Sequence, residues 1–224
     1  MIKTVLFDLD DTILDFHLSE YKAIKRTFMD LGLYPDEKLL NRYSEINLSR
    51  WKLLEKGELT REQVLTSRFD ILFSEMGKSF SAVDTNDIYR EHLSRGYDYI
   101  EGAEDLLRKL HNKYDLYIVS NGSTIVQNKR INGSGVRQYF KNIFISEEIG
   151  HNKPSKEFFD YCFSKIDGFS KETAIIIGDS LSSDIKGGNN AGIKTCWFNP
   201  NGTIGEADFI INDLREIPDL LKRI

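Results

Sequence analysis

Three short apolar runs constrain the chain more than any other feature, because each stops abruptly at residues with chemical potential. Val5-Leu6-Phe7 stops at Asp8, Leu116-Tyr117-Ile118-Val119 stops at Ser120-Asn121-Gly122, and Ala174-Ile175-Ile176-Ile177 stops at Gly178-Asp179-Ser180. Runs this short and apolar suit strands buried on both faces, a reading that periodicity alone leaves open against buried helix. Their spacing decides it. Amphipathic stretches near 102–111, 124–133, 155–165 and 182–191 lie between them, and weaker strands are expected at 143–145, 194–198 and 209–211. Strand and helix in alternation predict a parallel sheet covered on both faces, with ligands bound beyond the carboxyl ends of the strands. Residues 17–95 break the pattern. Four helical segments, near 17–31, 36–56, 60–76 and 83–95, follow one another without a strand, so an all-helical domain is expected between a core made of 1–16 and 96–224.

A chain of 224 residues with 40% apolar and 29% charged residues has enough material for a core and a modest second domain. Its net charge of -5 gives no general attraction for nucleic acid or anionic membranes. Two distant cysteines, Cys162 and Cys196, form no zinc-like cluster and fit a reducing compartment. Asp8 interrupts the apolar start before a signal-peptide core forms, and no stretch approaches the ~20 apolar residues of a membrane helix. A cytoplasmic protein is expected.

The candidate chemistry lies at the strand ends. Asp8 and Asp10, two residues apart in extended chain, point to one side. Asp179 and Asp184 follow another strand. Carboxylates gathered in this way repel unless a cation compensates, and without accompanying histidine or cysteine a hard, oxygen-seeking ion such as Mg2+ fits better than zinc. Ser120, Asn121 and Gly122 offer a hydroxyl, an amide and backbone donors near a helix start, a set suited to phosphate oxygens, and Lys153 adds a positive charge before the 155–165 helix. Each feature has a plainer reading as a turn, a cap or a solvated side chain. Their coincidence at successive strand ends is the argument for a site.

Asp8-Leu9-Asp10-Asp11-Thr12, the strand ending in Ser120-Asn121, Lys153-Pro154, and Gly178-Asp179-Ser180 followed by Asp184 together resemble the four ordered motifs of the haloacid-dehalogenase superfamily. That resemblance implies a doubly wound, Rossmann-like core with a helical cap of the first type controlling access. It implies Asp8 as nucleophile, Asp10 as general acid/base and Lys153 as the residue that stabilises charge on nucleophile and phosphate. Ser120, with Asn121 and Gly122, would bind phosphate, and Thr12 would support the first loop. Magnesium would be held by Asp8, the Asp10 backbone carbonyl, Asp179 and, directly or through water, Asp184. The second aspartate of the first motif disfavours a true dehalogenase, because a halide leaving group needs no acid.

The segments Ser120-Asn121-Gly122, 144–154 and 188–199 are similar to the bacterial pyrimidine 5'-nucleotidase branch, which implies a pyrimidine nucleoside monophosphate as substrate and no nucleic-acid polymer or membrane as partner. The alternative within enzymes is a phosphatase of phosphoglycolate or a sugar phosphate. A noncatalytic binding module is the alternative from another class, disfavoured by the retention of every acid. A monomer and a homodimer are both compatible. Tyr21, Tyr43, Trp51 and Phe69 in the helical insertion are candidates for contact with a planar base, although aromatics at helical spacing commonly pack.

Overall fold

The computed structural model describes all 224 residues, Met1–Ile224. The chain forms two compact units, Met1–Asp15 with Tyr97–Ile224, and Phe16–Gly96. The first holds six strands: β1 (Thr4–Phe7), β2 (Asp115–Ser120), β3 (Asn142–Ile145), β4 (Ala174–Gly178), β5 (Lys194–Phe198) and β6 (Phe209–Ile211). They pair in the order β3-β2-β1-β4-β5-β6, all parallel. This is the doubly wound order, in which the chain leaves β1 in opposite directions along the sheet and opens a crevice at the carboxyl ends of the central strands.

Strand alternation explains why the three runs are apolar throughout. Val5, Phe7, Ile118, Ile175 and Ile177 belong to one hydrophobic layer, with Leu106, Leu107 and Leu110 of α5 (Ala103–Leu110) and Leu220 and Leu221 of α10 (Ile217–Arg223). The intervening Leu6, Tyr117, Val119 and Ile176 belong to the other, with Phe158, Phe159 and Cys162 of α8 (Lys156–Ser164). A strand covered on both faces has no position for a polar side chain until it leaves the sheet. Chemistry is therefore displaced to the strand ends. Pro218 lies in the first turn of α10, where its missing N–H costs nothing. Both cysteines are buried and free.

The second unit contains α1 (Phe16–Asp30), α2 (Glu37–Glu55), α3 (Arg61–Glu75) and α4 (Ala82–Leu93). Local sequence sets three of the starts. Asp36 and Ser81 accept from the third backbone N–H of α2 and α4, and Thr60 with Gln63 forms a reciprocal capping box on α3. Tyr43, Phe69 and Tyr89 meet in the interior with ring centroids 5.3–5.9 Å apart, around the buried guanidinium of Arg68. Tyr43 and Phe69 are 0% exposed, which corrects their candidacy for base contact: both are packing residues of the helical interior. Tyr21 and Trp51 are partly buried and make polar contacts within the unit, Tyr21 donating to Glu37 and Trp51 to Asn47. No helix of the chain is long and apolar enough to cross a membrane.

Candidate active site

The first motif leaves the sheet in a tight loop. The Asp8 N–H is still bonded to Ile177 O, and the chain then turns so that Ile13 and Leu14 both donate to Leu9 O. Asp11 takes a left-handed conformation, with φ of 56°, which aspartate tolerates better than most side chains. Thr12 is fully buried but its Oγ1 makes no hydrogen bond, so any support it gives the loop comes from packing.

Lys153 joins the first and fourth motifs. Its Nζ donates to Asp8 Oδ1 at 2.6 Å, Asp184 Oδ1 at 2.7 Å and Val119 O at 2.8 Å, which occupies all three of its protons in a position only 1% exposed. Asp184 is entirely buried, and its second oxygen accepts the Ser180 N–H at 3.1 Å. That carboxylate fits because residue 178 is glycine: a Cβ there would lie 2.3 Å from Asp184 Oδ2. Ser180 caps the next element, its hydroxyl accepting the Ser183 N–H, and Leu181–Ile185 forms a wide π turn before α9 (Lys186–Ala191). Asp179 is held through its backbone, its carbonyl accepting Trp197 Nε1 at 2.7 Å.

Carboxylate oxygens of Asp8, Asp179 and Asp184 lie within 4.8 Å of one another. Fully ionised, three carboxylates against one ammonium would leave two negative charges in a largely buried space. Burial is the largest influence on Asp8, followed by the Asp184 charge, and together they push it up to about 8 against the pull of Lys153. Asp179 is raised by burial and by Asp8. Burial alone would lower Lys153, but the charges of Asp184 and Asp8 overcome it and hold the ammonium well above its ordinary value. An oxygen-only cluster with a surplus of two charges fits a hard divalent cation.

The second motif is arranged differently from expectation. The Asn121 side chain clamps the backbone of Lys153, accepting its N–H and donating to its carbonyl, both at 2.9 Å, while Asn190 donates to Pro154 O at 3.1 Å. Asn121 thus positions the lysine loop, and its side-chain amide is not spent on a phosphate. The Gly122 N–H donates to Ser120 Oγ at 3.1 Å. Glu147 occupies the start of α6 (Thr124–Ser134), accepting the Thr124 N–H at 2.6 Å and the Ser123 hydroxyl at 3.2 Å, so the helix start already faces an anion of the protein's own.

Asp10 does not stand alone. Arg130 Nη1 donates to its Oδ1, and Gln127 Nε2 donates to its Oδ2 at 2.6 Å and to Ser120 Oγ at 2.8 Å. Both partners come from α6 and neither was singled out from the sequence. The available signal was their position: Val126, Gln127, Arg130 and Ile131 form the buried face of α6, so two large polar side chains occupy core positions.

This constellation at the carboxyl ends of β1, β2 and β4 defines a hydrolase site of the haloacid dehalogenase type, and the family profile of haloacid dehalogenase-like hydrolases matches residues 5–198; the chain belongs to that family. Among its relatives is the Bacillus subtilis HAD-hydrolase YfnB, 44% identical over 199 residues, covering 89% of this chain and 85% of that one. The pyrimidine 5'-nucleotidase PynA of Streptococcus pneumoniae is 36% identical over 226 residues, 99% of this chain and 95% of that one. A crystal structure of YfnB bound to magnesium superposes with a TM-score of 0.95 at 41% identity, over 98% of each chain.

Proposed function

We propose that the protein is a magnesium-dependent phosphomonoesterase that works through an aspartyl-phosphate on Asp8, with pyrimidine nucleoside 5'-monophosphates as its substrates. The observation that carries the chemistry is the Lys153 bridge between Asp8 and Asp184, with Asp179 in the same oxygen cluster. The substrate class rests on the likeness to PynA over nearly the whole chain.

Lys153 holds Asp8 Oδ1, which leaves Oδ2 to attack phosphorus. As the new Asp8–phosphorus bond forms, the ester P–O bond breaks and its electron pair goes to the leaving oxygen, which takes a proton from Asp10. Asp10 then removes a proton from water, water attacks phosphorus, and the Asp8 carboxylate departs to restore the starting state. Asp8, Asp179, Asp184 and the Asp10 carbonyl would hold the magnesium ion, which when bound would supply charge neutralisation for the anionic nucleophile and phosphoryl group. Ser120 donates its hydroxyl to a phosphoryl oxygen.

Phosphate release from UMP, dUMP, TMP, AMP, phosphoglycolate and sugar phosphates tests the substrate class. Higher kcat/KM for the pyrimidine nucleotides is expected. Preference for phosphoglycolate or a sugar phosphate would replace the substrate while keeping the chemistry, and no release from any ester would reject the phosphatase reading.

Metal binding gives a second expected outcome, through pH. An unfolded Asp8 ionises near its ordinary 3.8, whereas folded Asp8 keeps its proton to about 8. The metal-free folded state therefore binds the extra proton across this interval, and its stability falls as pH rises from about 4 to about 8. Magnesium competes with that proton, so its stabilising effect grows over the same range. A ligand at 100 times its Kd adds about 2.7 kcal/mol, roughly 5–10 °C for a chain of this size. The rise in melting temperature at one fixed Mg2+ concentration should be larger at pH 8 than at pH 5. Equal shifts at both would contradict this account of the cluster.

A further inference from the structure

We propose that Gln127 and Arg130 are positioning residues that lock the general acid/base Asp10 and the phosphate-binding Ser120 into one rigid unit. This inference rests on the role of Asp10 given above. Arg130 is 0% exposed, and a buried guanidinium gains little for stability over an apolar side chain of similar size. Its Nη1 is shared between Asp10 Oδ1 and Gln127 Oε1, the latter at 2.9 Å. Gln127 turns its amide nitrogen to Asp10 Oδ2 and Ser120 Oγ together. Its orientation is fixed, because Arg130 requires the amide oxygen on the opposite side.

Two consequences follow from donor and acceptor counting. Asp10 accepts one bond on each oxygen from below, so its carboxylate is fixed in direction while its outer lone pairs, on a side chain 26% exposed, stay open to exchange a proton. Ser120 Oγ accepts from both Gly122 and Gln127, which fills its two lone pairs and leaves its own proton to donate outward. One glutamine thereby sets Ser120 as a donor to phosphate and Asp10 as the proton carrier beside it. Gly122 is required for this arrangement, since a Cβ there would lie 2.3 Å from Gln127 Nε2.

Leaving-group dependence separates positioning from packing. An alkyl phosphate needs its leaving oxygen protonated, whereas the phenolate of p-nitrophenyl phosphate departs without help. Arg130→Met is expected to lower kcat/KM, which reports only the steps through departure of the leaving group, about 100-fold for the best alkyl phosphate of the panel, and only a few-fold for p-nitrophenyl phosphate. Arg130→Lys, which keeps the charge but loses the planar fork, should fall between and serves where the methionine variant does not fold. Gln127→Met should in addition weaken inhibition by inorganic phosphate, because Ser120 loses its orientation. In an Asp10→Asn background the Arg130 substitution should cost almost nothing more on the alkyl ester. Equal losses of kcat/KM on both esters, or losses that add fully to that of Asp10→Asn, would overturn the proposal while leaving the role of Asp10 intact. Full turnover of Asp10→Asn by itself would remove that role, and the proposal with it.

Discussion

Asp8→Asn protein is expected to fold, to bind phosphate esters and to turn them over at least ~10⁴-fold more slowly than the parent enzyme. The amide keeps the shape of the side chain but removes the anionic oxygen that attacks phosphorus. The effect on stability should run the other way. Asp8 is one of three carboxylates sharing a single ammonium, and burial with Asp184 already pushes it up to about 8. Replacing it with a neutral amide relieves repulsion while Lys153 keeps Asp184 and Val119 O as partners. Without metal, Asp8→Asn protein should therefore melt at or above the parent at pH 8, an instance of an active site held at some expense to stability. Calorimetry without Mg2+ and phosphate release with it check the two halves. Substantial residual turnover would remove Asp8 as nucleophile, and a melting temperature well below the parent's would contradict the charge surplus.

Lys153→Met should behave oppositely, losing activity and stability together. The substitution strips Asp184, which is entirely buried, and Asp8 of the ammonium that offsets their charge. Breaking a buried pair from one side costs about 3–5 kcal/mol, roughly 6–20 °C in melting temperature for a chain of this length. The deficit should shrink at pH 5, where Asp8 carries its proton and adds no unpaired charge, and it should shrink when Mg2+ is added. Turnover should stay low even with the metal present, because Asp8 Oδ1 has lost the contact that orients it. Melting curves at pH 5 and pH 8, with and without Mg2+, provide the check. A variant that melts within a degree or two of the parent at pH 8 would show that the bridge does not hold the site together.

These two residues also show how far the site could be read before any fold was seen. Asp8 and Asp179 stand out in the sequence because a doubly covered strand excludes polar side chains until it ends, so the first charge after an apolar run marks the crevice, whereas Lys153 stands out only as a positive charge just before the 155–165 helix. The sheet itself followed from the same feature, since Leu6 and Ile176 face one layer while Val5, Phe7, Ile175 and Ile177 face the other. Residues whose function depends on a partner far along the chain were harder to see. Asn121 looked like a phosphate ligand by position, yet its amide closes on the Lys153 backbone, 32 residues away. Gln127 and Arg130 reach Asp10 across 117 and 120 residues, and only their place on the buried face of α6 hinted at a polar task. Tyr43 and Phe69 were ambiguous in principle, because an aromatic at helical spacing carries the same pattern whether it packs inward or meets a ligand. Here both pack inward, around Arg68.

Rapid acid quenching during turnover of a phosphate-labelled substrate tests the covalent route most directly. The account predicts that label appears on the protein before free phosphate reaches its steady rate, that hydroxylamine releases it as expected of an acyl phosphate, and that peptide mapping places it on Asp8. Label on a different residue, or a steady release of phosphate with no preceding protein-bound label, would contradict nucleophilic attack by Asp8.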